Sequence, residues 1–154
     1  MGKKPDASVI VERMEKFSYP RDIIVMPKIW RKTVVNDKGQ TQRRAMEILA
    51  EIVYWYRPSK GNATLTKGEK KFVGKVFQKK IADWAKEYDV SEKSIQRDLD
   101  FLQDDLHVIR KWTEKYKNNS GEVRSKPMCI ELDVENLYRL TYPDGMNITK
   151  ANEN

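Results

Sequence analysis

The chain has one cysteine, Cys129, and one histidine, His107, in 154 residues. A lone cysteine excludes an internal disulfide framework, and with a single histidine it leaves no soft-ligand cluster for zinc. Both lie in apolar contexts, Met128-Cys129-Ile130 and Leu106-His107-Val108, and read as ordinary core or edge residues. There is no glycine-rich phosphate loop followed by Lys-Ser or Lys-Thr, no Gly-x-Ser-x-Gly elbow and no histidine pair for nucleophilic transfer. The carboxylates Asp98, Asp100, Asp104 and Asp105 are spread around a helix by their spacing rather than gathered on a metal. The expectation is a non-enzyme without catalytic residues, metal or cofactor. Long apolar runs are missing as well. A stretch such as Ile23 to Met26 is far short of the ~20 residues a bilayer span needs, and the N-terminus lacks a signal peptide's apolar block. A soluble, cytoplasmic chain with no membrane partner is expected.

What is abundant is charge. Thirty Lys and Arg stand against 23 Asp and Glu, a net charge of +7, in a chain that is 34% charged and 39% apolar. This length supports a single core without staples. A surplus of +7 suits a polyanionic partner but is common among ordinary proteins, so its distribution decides. Residues 1–77 hold 17 basic and 8 acidic groups; residues 78–106 hold 5 and 8, residues 107–128 hold 6 and 2, and residues 129–154 hold 2 and 5. The sign alternates as if different surfaces faced different neighbours.

Residues 1–8 read as a disordered start and 144–154 as a flexible tail. Val9 to Phe17 suggests a short helix, Ile23 to Met26 an extended run before Pro27, and Asn36-Asp37-Lys38-Gly39 a turn. From Arg43 to Tyr56, Ala45, Ile48, Leu49, Ile52, Val53 and Tyr56 recur at three- and four-residue spacing, which predicts a helix with one buried stripe ending before Pro58. Ser59 to Lys71 is a polar basic loop, and Phe72 to Phe77 alternates like a strand. A second helix is predicted over Lys79 to Glu87, with Ile81, Ala82, Trp84 and Ala85 on its inner side. Ser91 is placed to cap a third helix running to about Asp105, with Ile95, Leu99, Leu102 and Leu106 inward. Val108 to Thr113 and Met128 to Leu132 form a long hairpin around Asn118-Asn119-Ser120-Gly121, and Asp133 caps a last helix, Val134 to Leu140.

The order helix, strand, helix, helix, strand, strand predicts an α+β, mainly α fold: a winged helix-turn-helix with an N-terminal extension and a C-terminal helix. In such a domain the third helix packs its apolar side inward and offers its polar side to a major groove about 12 Å wide. Here that side carries Lys93, Ser94, Gln96 and Arg97, the candidates for base readout. Gln pairs bidentately with adenine and Arg with guanine, each good pair contributing roughly 1–3 kcal/mol of discrimination. The candidates for phosphate contact are Arg110, Lys111, Lys115, Lys117, Arg124 and Lys126 in the wing, Lys79 and Lys80 at the second helix start, and Ser91. Trp55, Tyr56 and Trp84, at helical spacing, read as core rather than a base-stacking platform.

The run Ile81-Ala-Asp-Trp-Ala-Lys-Glu-Tyr-Asp-Val-Ser91-Glu-Lys-Ser-Ile-Gln-Arg-Asp-Leu99-Asp-Phe-Leu102 resembles the helix-turn-helix of DeoR-type repressors, whose second helix typically reads Ser-x-x-Thr-Ile-x-Arg-Asp-Leu. The wider span Arg43 to Leu140 is similar to winged-helix domains of phage and plasmid replication-initiation proteins. It shares an apolar helix ending near a Tyr-Trp pair (Tyr54-Trp55), a short strand, the helix-turn-helix, and a glycine-containing wing returning into Ile130-Glu-Leu132. That family tends to end the recognition helix on glycine, where this chain reads Asp105-Leu106-His107-Val108. The helix end and wing register stay open by a residue or two.

The resemblance implies a sequence-specific double-stranded DNA-binding protein in replication initiation, or its control, for a plasmid or phage. The alternatives are a transcriptional repressor and a winged-helix protein-interaction module without direct DNA contact. The expected organisation is a start at 1–8, an extension at 9–42, a DNA-binding domain at 43–143 and a tail at 144–154. Two kinds of protein partner stay open. One is a homodimer through Val9, Ile10, Phe17, Ile23, Ile24, Val25 and Trp30, residues that would equally extend the core; the other is replisome or helicase-loading proteins.

Overall fold

The computed structural model describes residues 6–18, 23–58, 71–125 and 127–145. Residues 59–70 of the loop expected over 59–71, residues 1–5 of the start expected to be disordered, the expected tail beyond 145 and Lys126 lie outside them. The chain is α+β, with six helices and two small antiparallel sheets among the described residues.

Helix α3, Arg43–Tyr56, has the predicted bounds, and Ala45, Met46, Ile48, Leu49, Ala50 and Ile52 are buried along it. Against it packs α5, Glu92–Asp100, through Ile95 and Leu99, and α4, Ile81–Tyr88, packs on α5 and brings Trp84 and Ala85 into the same core. Each large aliphatic buried this way contributes roughly 1.5–3 kcal/mol over its exposed state. The predicted second helix starts two residues late: Lys79 belongs to a strand, and Lys80 stands at the N-cap position of α4 without a side-chain cap bond. Ala82 faces outward.

Strands β1 (Phe77–Lys79), β2 (Ile109–Trp112) and β5 (Met128–Leu132) form a three-stranded antiparallel sheet in the order β1-β5-β2. Phe77 pairs with Ile130 and Ile109 with Leu132. The strand expected over Phe72 to Phe77 is displaced: residues 71–76 are bends, and pairing begins at Phe77. Gly74, with φ of +94°, stands within that stretch in a conformation a regular ladder does not accept. The Tyr56 hydroxyl joins the strand start to the sheet, accepting from the Phe77 N–H at 3.2 Å and donating to the Ile130 carbonyl.

The single long hairpin expected between β2 and β5 is two ladders. Beyond Trp112 and Cys129 the pairing stops, and a separate ribbon of β3 (Lys115–Lys117) and β4 (Val123–Ser125) follows. Its tip repeats the chemistry of the earlier turn. Asn118 Oδ1 accepts from the N–H groups of Ser120 and Glu122, as Asn36 Oδ1 accepts from Lys38 and Gln40. Each turn then needs a left-handed residue, and Gly39 (φ +76°) and Gly121 (φ +78°) supply it without strain.

Of the extension, α2 (Trp30–Thr33) joins the core: Trp30 and Val34 are buried, and the Trp30 indole N–H donates to Thr141 Oγ1 on α6 (Val134–Thr141) at 3.1 Å. The predicted Val9 to Phe17 helix is α1, Ala7–Met14, capped by Asp6, so regular structure begins inside the stretch expected to be a disordered start. No residue of α1 is buried. Ile23 to Met26 makes no ladder, and Ile24, Val25 and Met26 are exposed. Cys129 is buried, whereas His107 is exposed.

Candidate nucleic-acid interface

The α4–α5 corner is built by backbone chemistry. Asp89 takes a left-handed conformation, φ +53°, and the Val90 N–H donates to the Ala85 carbonyl, which closes α4. Ser91 then caps α5 as expected, its Oγ accepting from the Ser94 N–H at 3.1 Å. Three residues therefore turn the chain from one helix into the next. Beyond Asp100 the helix widens into a π-helical turn, Phe101–Asp105, with Leu102 buried. His107, φ +55°, occupies the left-handed position where a glycine is usual, and fixes where the helix gives way to β2.

With Ile95 and Leu99 buried, Lys93, Gln96 and Arg97 project outward from α5. Ser94, the fourth readout candidate, is half-buried, and its hydroxyl lies 3.0 Å from Ser91 Oγ, within the cap. Two carboxylates of the same helix are held from other elements. Asp98 pairs with Arg44 Nε of α3, and Asp100 with Lys111 Nζ of β2 at 2.7 Å.

Ser91, a phosphate candidate, is exposed but its hydroxyl serves the α5 cap, and the seven described Lys and Arg candidates separate into three groups. Lys80, Lys115 and Lys117 are exposed and have no ion pair among the described residues. Arg110 and Arg124 are exposed but engaged: Arg110 stacks 4.8 Å over the Trp112 ring and stands 3.7 Å from Glu131, and Arg124 lies 2.6 Å from Glu122. Exposed pairs of this kind contribute about 0–1 kcal/mol, so a phosphate can compete for either guanidinium. Lys79 and Lys111 depart from the expected role. Lys79, 13% exposed, contacts Glu51 at 2.8 Å and also Glu87, with its ammonium 4.0 Å from the Trp84 ring. Lys111, 12% exposed, is engaged by Asp100. Neither cation is offered to solvent.

Burial shifts two titrations in this region. Burial pushes the Glu51 carboxyl above its ordinary range, against the pull of Lys79. Tyr88 is pushed up too, chiefly by burial and then by the carboxylates of Glu51, Glu47, Glu87 and Asp98.

Arg44 and Gln103 also belong to the site, and no sequence pattern marks them. Gln103 Oε1 accepts from the Lys111 N–H at 2.7 Å and so ties the π-helical turn to β2. Arg44 lies 54 residues before Asp98, with no local pattern to link them. Tyr116, exposed between Lys115 and Lys117, has a readable signal in its basic-aromatic-basic alternation.

Among the described residues no three His, Cys, Asp or Glu side chains gather to hold a metal, and no helix is long and apolar enough to cross a membrane. No family model, curated protein or solved structure matches the chain.

Proposed function

We propose that residues 43–143 are a winged helix-turn-helix domain that binds double-stranded DNA, with α5 in the major groove and the β3–β4 ribbon along the phosphates. The observation that carries this reading is the outer surface of α5. A helix capped by Ser91 and pinned by Ile95 and Leu99 presents Lys93, Gln96 and Arg97 together, and the strands next to it lead into a ribbon bearing Lys115, Lys117 and Arg124. Readout groups stand on a rigid element, and positioning charges stand on an extended arm. Lys80, at the positive end of α4, adds a further phosphate contact. The role we assign is replication initiation, or its control, for a plasmid or phage. Repression of transcription is the second reading, favoured by the Ser91 to Leu99 run.

Fluorescence anisotropy with labelled duplexes at increasing salt tests the proposal. Neutralising about four to six phosphates gives log K a slope against log salt of roughly −4 to −5. A flat response, or no binding at low salt, refutes it. Selection from random duplexes then separates the roles: direct repeats fit an origin, a palindrome fits a repressor, and no enrichment leaves a protein-interaction module.

A further inference from the structure

Helix α5 is a poor match for a polyanion by its own composition. Glu92, Asp98 and Asp100 outnumber Lys93 and Arg97, so the segment Glu92–Asp100 carries a formal charge of −1. Asp100 is the most awkward of the three. It follows Lys93, Gln96 and Arg97 by seven, four and three residues, spacings that put all four on one helix face. Its side chain is 48% exposed.

The fold answers this from behind the helix. Lys111 reaches Asp100 at 2.7 Å from β2 while remaining 12% exposed itself, so it cancels the carboxylate without occupying the outer face. Its backbone is held on both sides, by the bond to Gln103 and by its register opposite Ile130. Arg44 of α3 pairs with Asp98 with the exposures reversed: the arginine side chain is 38% exposed and covers a carboxylate that is itself 13% exposed. With both cations in place the unit of α5 and its two partners carries a formal charge of +1.

We infer that Lys111 and Arg44 are positioning residues for DNA, which act through Asp100 and Asp98 to convert an acid-rich helix into one that a phosphate backbone can approach. This rests on the reading of α5 as the DNA-facing helix. A carboxylate about 7 Å from a phosphate weakens binding roughly threefold at the dielectric of water, and about tenfold at half that value. Direct phosphate binding by Lys111 predicts something different, because altering an aspartate would not replace a bond that the lysine itself had made to DNA.

The experiment measures binding of the full chain to a fluorescent duplex of mixed sequence, about 30 base pairs long, at low salt, where electrostatic terms are largest. Lys111→Met, which keeps the largely buried aliphatic stem, is expected to bind about three- to tenfold more weakly than the wild type. Adding Asp100→Asn returns affinity to within about twofold. Adding Glu135→Gln on α6 instead, which gives the same net charge, does not. Arg44→Met and its double variant with Asp98→Asn follow the same pattern. Failure of Asp100→Asn to rescue, or equal rescue by Glu135→Gln, overturns the inference while the wild type's own binding leaves the DNA reading standing. A wild type that binds no duplex overturns both. If circular dichroism shows Lys111→Met unfolded, Asp100→Asn alone decides: equal or tighter binding supports masking, and weaker binding makes Asp100 a contact and overturns it.

Discussion

The Tyr56 hydroxyl is a single group whose removal has a calculable cost. Phe77 and Ile130 are partners in register, and the hydroxyl bridges them, taking the Phe77 N–H and giving its own proton to the Ile130 carbonyl. Both residues are buried, at 5% and 0% exposure, so water cannot readily take the place of the missing oxygen. Tyr56→Phe retains the ring and its edge contact with Phe72, 5.2 Å between centroids, while leaving a donor and an acceptor unpaired. The expected loss of stability is about 2 kcal/mol at pH 7. For a domain of this size that lowers Tm by about 4–8 °C. Burial also raises the Tyr56 pKa above its ordinary value of 10.0. A phenol harder to ionise when folded contributes fully below pH 10, and the contribution fades as pH rises further. The deficit of Tyr56→Phe should therefore narrow in alkaline urea titrations. A change under about 0.5 kcal/mol at pH 7, or a deficit that widens above pH 10, would refute the bridge.

Lys79→Met removes the cation shared by Glu51 and Glu87 and is expected to cost about 2–4 kcal/mol at pH 7 by urea unfolding. Because the Glu51 carboxyl already titrates high and favours the fold while protonated, the deficit should shrink at pH 4; an undiminished deficit argues against an orphaned carboxylate. His107→Gly relieves a left-handed backbone at φ +55° and, after the extra entropy of glycine, should gain about 0.5 kcal/mol, read as a rise in Tm of about 1–2 °C; a fall in Tm counts against strain at that position. Gln96→Ala and Arg97→Ala should relax sequence preference in a selection assay, whereas Lys117→Ala and Arg124→Ala should weaken all duplexes about equally and make the salt slope shallower. Identical behaviour of the two pairs would remove α5 from the role of reader.

Periodicity and caps made most of the helices legible. The apolar stripe that starts at Ala45 marks α3 from end to end, and Ser91 and Asp133 mark the starts of α5 and α6. What was not legible depended on tertiary partners. Phe72 to Val76 has strand-like residues but bends before it can pair: the ladder with β5 begins only at Phe77 opposite Ile130, although β5 runs on to Leu132, and Gly74 takes a φ of +94° within the bend. Lys79 and Lys111 look like free surface charges until Glu51 and Asp100 arrive from other elements, and Arg44 finds Asp98 from 54 residues away. Sequence marks where charge is abundant; which charges remain after folding is decided by long-range pairing.

The interruption between the two ladders gives the ribbon its own thermodynamics. Pairing ends at Trp112 opposite Cys129 and resumes at Lys115 opposite Ser125, with residues 113–114 outside any ladder and Pro127 on the return lacking an N–H to close one. A two-stranded ribbon of three pairs is marginal in isolation. Its local opening therefore proceeds without disturbing the sheet behind it, and amide exchange at Tyr116 and Arg124 should be orders of magnitude faster than at Ile130. The arm can melt and re-form many times while the helix corner keeps its shape, so one part of the surface is adaptable and the other holds still.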